Sequence, residues 1–407
     1  RLCKKRTKTI GGYHMGPMDL HFNFRDIFRA PRLALSGKKI WIFMSGNLAG
    51  FVSYWVLTYL ALALAGLPLG DMVEKYGLYP CLFGNSAPWF AWGIYFLGCA
   101  AWIVAILLSC TAVSRVTLKQ LKGNDFFSGN DAWSYVHKHW HPVVFTSVTI
   151  ALIIVFFLAF AALFGLICKI PYLGPFLYTL PYPLYIIGSI FTVYTGIVLV
   201  ISLGYASAIV GTYEEDTMGT VFQSYAIAWS QPWRIIVYNI ILLPLAYVAM
   251  TLFSWFLHAG VGLMNLVFGF IMGESLNNIF SFSSAIVFPD TIVSCVTCCL
   301  SMVDLSYLLP NVSSMSASLS GVETLAGIIL SLFLFMMALS VLSYGCSVIA
   351  VGRTLEFIIY KQKSDDDNLL ERKDEDELEE EDDDFNFDDD EDDGDVDTDI
   401  VTDDSEE

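Results

Sequence analysis

An all-α, multi-pass transmembrane helical bundle is the fold this sequence predicts, on three observations. Of 407 residues, 55% are hydrophobic and only 15% charged, where soluble domains carry about a quarter charged residues. Uncharged apolar runs longer than the roughly 18 residues that mark a membrane-spanning helix recur along the chain. The short alternating segments that build a transmembrane β-barrel are absent.

The elements follow in order. Residues 1–39 form a polar arm with ten Lys or Arg, including an interfacial segment before the first span. No cleavable signal peptide is expected, because the basic start leads into a polar stretch and not a short apolar core. A transmembrane domain then occupies 40–360, with spans at about 40–66, 90–113, 143–168, 184–210, 235–273 and 324–351. Residues 361–407 are an acidic tail. From Ser364 onward 27 Asp or Glu face two basic residues, so the net charge of −19 belongs to the tail, and the remainder carries +6. So dense a charge run with few apolar residues is expected to be disordered. Its stretch DDEDDGDVDTD fails as a calcium loop, since alignment on Gly394 puts Ile400 where a bidentate Glu is required.

The fifth run, 235–273, contains no Asp, Glu, Lys or Arg. As one helix it would measure about 58 Å, nearly twice the hydrocarbon thickness. It therefore either projects from the bilayer or turns back near His258–Gly262. In the second case Ile286–Leu309 would also cross, for eight spans; six is the preferred count. Orientation follows from Lys/Arg bias. The arm, segment 114–141 (Arg115, Lys119, Lys122, Lys138) and the end of the last span (Arg353, Lys361, Lys363) are basic, whereas 274–323 has no Lys or Arg. Both termini are thus expected in the cytoplasm, and a bacterial inner membrane or a eukaryotic endomembrane fits equally.

Aromatic, cationic and proline residues collect before each odd-numbered span: HFNFRDIFRAPR, DAWSYVHKHWHP, and EEDTMGTVFQSYAIAWSQPWR at 214–234. In the last, Met218, Val221, Phe222, Tyr225, Ala226 and Trp229 keep helical spacing. Asp216 or Thr217 suits an N-cap, and Pro232 stops the helix. Residues 217–230 are therefore predicted to be a helix lying on the cytoplasmic membrane face, with Phe222, Tyr225, Trp229, Trp233 and Arg234 as interfacial or docking candidates. The patch His137, Lys138, His139 and His141, like Arg25, Arg29 and Arg32, reads as a contact for anionic headgroups.

Within the spans the notable polar residues are Asn47, Asn239, His258 and Asn265, of which His258 and Asn265 are the candidate intramembrane polar sites. Such groups usually bond between helices. Cys295, Cys298 and Cys299 cluster in the outer region. They read either as buried thiols or, with Cys81 of another outer loop, as disulfide partners in an oxidising compartment. Asn311-Val-Ser313 is a glycosylation sequon if that region faces a lumen.

No nucleophile elbow, P-loop, HExxH motif, dinucleotide fingerprint or paired-carboxylate constellation occurs in the membrane body. No catalytic residue, cofactor or metal is therefore expected. Nucleic acid is not an expected partner, because the basic residues hug membrane boundaries and the tail repels phosphate. The expected function is that of a non-enzymatic accessory or scaffold subunit of a larger membrane assembly. The expected partners are the bilayer, its anionic headgroups and other proteins. The alternative is a transporter or channel for a neutral or lipid-like substrate.

Overall fold

The computed structural model describes residue 18 and residues 20–84, 86–289 and 320–373. A 3-10 turn, Phe24–Arg29, leads into α1 (Ala30–Ala34). Six long helices follow: α2 (Gly37–Leu64), α4 (Trp89–Leu121), α6 (Trp140–Ile167), α8 (Tyr182–Tyr213), α10 (Pro232–Met272) and α12 (Gly321–Ser364). Each is long and apolar enough to cross a bilayer, so the chain is an integral membrane protein with six candidate spans. Between them lie α3 (Leu69–Tyr76), α5 (Gly129–Lys138), α7 (Gly174–Thr179), α9 (Thr217–Ser230) and α11 (Glu274–Val287).

The helix ends have identifiable causes. Ser128 and Asp131 close a capping box on α5, and Ser320 and Glu323 do the same on α12. Asp216 caps α9 by accepting from the Gly219 N–H at 2.8 Å. Pro232 occupies the first position of α10, where its missing N–H costs nothing. The α10 helix then runs unbroken for 41 residues through Pro244, Gly260 and Gly262, with no turn near His258. At Gly273 a positive φ of 61° reverses the chain into α11. A second crossing over Ile286–Leu309 would fall mostly outside the described residues.

Two glycines one helical turn apart set the α2–α4 contact. Gly46 lies against Ser109, and Gly50 lies against Trp102 and Ala105. This is the small-xxx-small solution for bringing membrane helices close. Gly211 of α8 in the same way meets Ser114 and the Thr111 carbonyl of α4.

The core is concentrated at one end of the bundle. There the closing turns of α4 and α8, the second half of α12, the first half of α10 and the small helices α1, α5 and α9 pack together. Ser343–Lys361 of α12 is buried on nearly every face. With 44 residues, α12 is about 66 Å long, roughly twice a hydrocarbon core. Its terminal turns therefore exceed what one bilayer crossing needs, and they pack into a base with the short helices. Away from the base, α6 and α8 touch mainly one another, through Phe157–Phe191 and Phe164–Tyr185. Both described ends of the chain meet at the base: the Met18 N–H donates to the Leu121 carbonyl at 2.9 Å, and Lys122 donates to the Arg372 carbonyl at 2.6 Å.

Candidate functional site

The base holds a layer of buried charge that apolar helices bring together. Arg115 stands where α4 leaves its apolar run, and its side chain is fully buried. Its guanidinium meets the Glu214 carboxylate at 2.6 Å and lies 4.4 Å from the Tyr135 ring centre. Glu214 can reach it because α8 ends there in a left-handed residue, φ 60°, that swings the backbone over α4. Tyr135 is held in turn by donating its hydroxyl to the Val210 carbonyl at 2.7 Å.

A second group lies along α12. Arg353 and Glu356 are one turn apart at 3.7 Å, and the Arg353 guanidinium sits 4.6 Å from the Tyr205 ring. Tyr205 donates its hydroxyl to Glu356 and receives a hydrogen bond from Asn239 at 3.2 Å. Tyr360 stacks on Tyr238 and contacts the Tyr205 hydroxyl at 3.3 Å, while Gln231 donates to the Tyr360 carbonyl at 3.1 Å. Helices α8, α10 and α12 and the α9–α10 junction are thereby tied at one depth. At the end of α12, Lys361 binds Asp365 at 2.5 Å, and this hydrogen bond holds the Asp365 carboxyl below the ordinary aspartate range. Lys361 and Arg372 flank the Tyr213 ring at 4.6 and 4.2 Å, and buried Leu369 and Leu370 pin the returning segment. Lys39 is fully buried and donates to the Leu33 carbonyl and to Gln120, joining the N-terminal segment to α4.

The arrangement is chemically a clamp. Buried charges are costly unless paired and hydrogen-bonded. Arg115 and Glu214 come from different elements, and Tyr205 and Asn239 tie the Arg353–Glu356 pair of α12 to α8 and α10, so the elements are fixed relative to one another. Among the described residues no three His, Cys, Asp or Glu side chains come together in a way that could hold a metal ion.

The residues singled out from sequence lie mostly elsewhere. On α9, Phe222 and Trp229 are exposed, as is Trp233 on α10. The face of α9 that packs inward is Thr220, Val221, Ser224, Ile227 and Ala228, of which Val221 alone belongs to the predicted apolar stripe. Tyr225 bridges the two faces by donating to Thr195 at 3.1 Å. Arg234 donates to the Gln231 side chain at 3.0 Å. His258 lines a shallow groove of about 70 Å³ between α10, α11 and α12, with Phe280, Phe288, Leu334 and Met337. Asn265 lies further along α10, outside that lining, and is half-buried. Cys81 is half-buried and has no disulfide among the described residues. Cys295, Cys298, Cys299 and Asn311 lie outside the described residues.

In the sequence, Arg115, Arg353 and Lys361 stand out only as orientation markers, and Glu214 only as part of a helix start. The available signal was context. Arg115 sits in Thr111-Ala-Val-Ser-Arg-Val-Thr117 and Arg353 in Val351-Gly-Arg-Thr354, small-residue surroundings that suit close packing better than solvent.

Comparison with protein-family models, with curated proteins and with solved structures finds no match to this chain.

Proposed function

We propose that this integral membrane protein is a non-enzymatic accessory or scaffold subunit of a larger membrane assembly, with both termini in the cytoplasm. The observation that carries the reading is the contrast between base and spans. The base is locked by buried ion pairs and braced by α1, α5 and α9. From it, α6 and the early turns of α8 extend as a hairpin with little support from the other helices, exposing Phe156, Phe160, Leu163, Ile187 and Ile190. A fixed base with projecting apolar helices offers neighbouring membrane helices a rigid surface. Phe222, Trp229 and Trp233 form a second exposed aromatic surface at the base. Aromatic side chains of this kind are common anchors at protein interfaces.

Purification of the full chain in mild detergent tests the reading. A stoichiometric protein partner is expected, with recovery reduced by Phe222→Ala together with Trp229→Ala. A lone monomer with unchanged fold would overturn it.

The groove beside His258 favours the second reading, a path for a neutral or lipid-like substrate, because it places a polar ring in an apolar intramembrane wall. Its volume of about 70 Å³ is small against the roughly 300 Å³ or more of small-molecule sites, and on that magnitude the scaffold reading is preferred.

A further inference from the structure

We propose that the cleft at the α9–α10 junction binds the phosphodiester headgroup of an anionic phospholipid. The inference rests on the membrane reading and is independent of the scaffold role. The cleft has a volume of about 390 Å³ and is lined by Ser230, Gln231, Trp233 and Arg234 from one side and by Lys363 and Ser364 from the end of α12.

Among the described residues neither of its two cations is paired with a carboxylate. Arg234 spends one nitrogen on the Gln231 side chain at 3.0 Å. Gln231 is itself buried and anchored to the Tyr360 carbonyl. The guanidinium is therefore aimed, and among the described residues its other donors remain for the two non-bridging oxygens of a phosphodiester. Lys363 is exposed, and of the carboxylates that follow it Asp365 is paired with Lys361. Asp366 and Asp367 accept from the neutral Gln362 and Tyr213 and keep their charge, so the attraction for an anion rests on Arg234 together with Lys363. The hydroxyls of Ser230 and Ser364 supply neutral polar groups at the rim.

What favours a lipid over a free anion is the surface leading away from the cleft. Trp233, Ile236, Ile240 and Leu243 are all exposed and follow i, i+3, i+7, i+10 down one face of α10. They form an apolar track for acyl chains that starts at the two cations. Trp233 lines the cleft and is 68% exposed, as aromatic side chains are at headgroup depth.

The test is native mass spectrometry of the full chain in detergent, with phosphatidylglycerol, phosphatidylcholine and inorganic phosphate as separate probes. Phosphatidylglycerol is expected to bind at least about thirtyfold more tightly than phosphatidylcholine, the roughly 2 kcal/mol carried by two cations near an anionic group. Arg234→Gln with Lys363→Gln should abolish the preference, whereas Lys169→Gln, at an exposed position in the loop after α6, should retain it. Lys363→Glu alone, at an exposed position, should weaken binding at least about fivefold if the double variant fails to fold. Equal binding of both lipids, or a preference untouched by the cleft variants, would overturn the site. Inorganic phosphate binding as tightly as phosphatidylglycerol would reassign it to a free anion. No lipid preference together with a carbodiimide cross-link from Lys363 to the acidic tail would give the cleft to the tail. A chain that keeps its protein partner but shows no lipid preference loses this inference alone.

Discussion

Arg115 and Glu214 meet at 2.6 Å in the interior of the base, although 99 positions separate them in the sequence. Arg115 comes from a transmembrane helix and Glu214 from the left-handed turn that ends another. Their contact fixes where α8 stops and how α9 starts across it. Removing one member leaves the other charged and buried, which typically costs about 3–5 kcal/mol. Arg115→Met and Glu214→Gln should each lower the free energy of unfolding in detergent by an amount of that order. Arg115→Met combined with Glu214→Leu should cost less than the sum, because no unpaired charge is then left buried. Additive losses would show that the two residues act separately.

Gly211 tests the close approach of α8 to α4. A Cβ there would lie 2.8 Å from the Ser114 side chain and 2.9 Å from the Thr111 carbonyl. The carbonyl is backbone and cannot give way. Gly211→Ala should destabilise by about 1–3 kcal/mol, the usual range for overpacking. Gly260→Ala, with nothing within 4 Å of the new methyl, should be neutral or slightly stabilising. Unfolding midpoints of the two variants side by side make the comparison.

Tyr79, in the loop between α3 and α4, donates its hydroxyl to the Val287 carbonyl at 2.9 Å. Burial pushes its phenol up to about 12. Because the folded state disfavours the phenolate, Tyr79 contributes stability that is complete below about pH 10, the ordinary tyrosine value. That contribution is lost as pH rises through the folded value near 12. Tyr79→Phe should be less stable than wild type at pH 8 and lose less stability between pH 10 and 12. Parallel stability curves for the two proteins over that window would rule out the assignment.

Thiol labelling in a background with the native cysteines replaced by serine reads the orientation. In sealed right-side-out vesicles, an impermeant reagent should modify Tyr172→Cys, at an exposed position between α6 and α7. It should leave His137→Cys, at an exposed position on α5, untouched until the membrane is opened. The reverse pattern would invert the proposed topology.

Hydropathy made the six long helices legible, because apolar length is a local property that sequence displays directly. The stretch 217–230 was legible as a helix for a similar reason: Asp216, the apolar spacing and Pro232 are local signals, and α9 spans Thr217–Ser230. The base was not legible. Arg115 and Arg353 each follow an apolar run, and from sequence such a position reads as the edge of a membrane. Only the arrival of Glu214 and Tyr135 at Arg115, and of Tyr205 at Arg353, from other elements shows that these turns continue into a packed interior. The inward face of α9 was missed likewise, since its buried Thr220 and Ser224 satisfy their hydroxyls on the helix's own carbonyls and resemble solvent-facing residues in a sequence pattern. Gly46 and Gly50 did carry a readable signal, the spacing of one helical turn between small residues.

The bonds from Met18 to Leu121 and from Lys122 to Arg372 bring the leading and trailing ends of the described chain onto the final turn of one helix. A partner tethered to the N-terminal arm and another tethered to the tail would therefore pull on the same point. Tension between them would pass through the tip of α4 without stretching any helix across the bilayer. In mechanical terms the molecule is a swivel post, with its cables tied at a single cleat and its transmembrane shaft left out of the line of force.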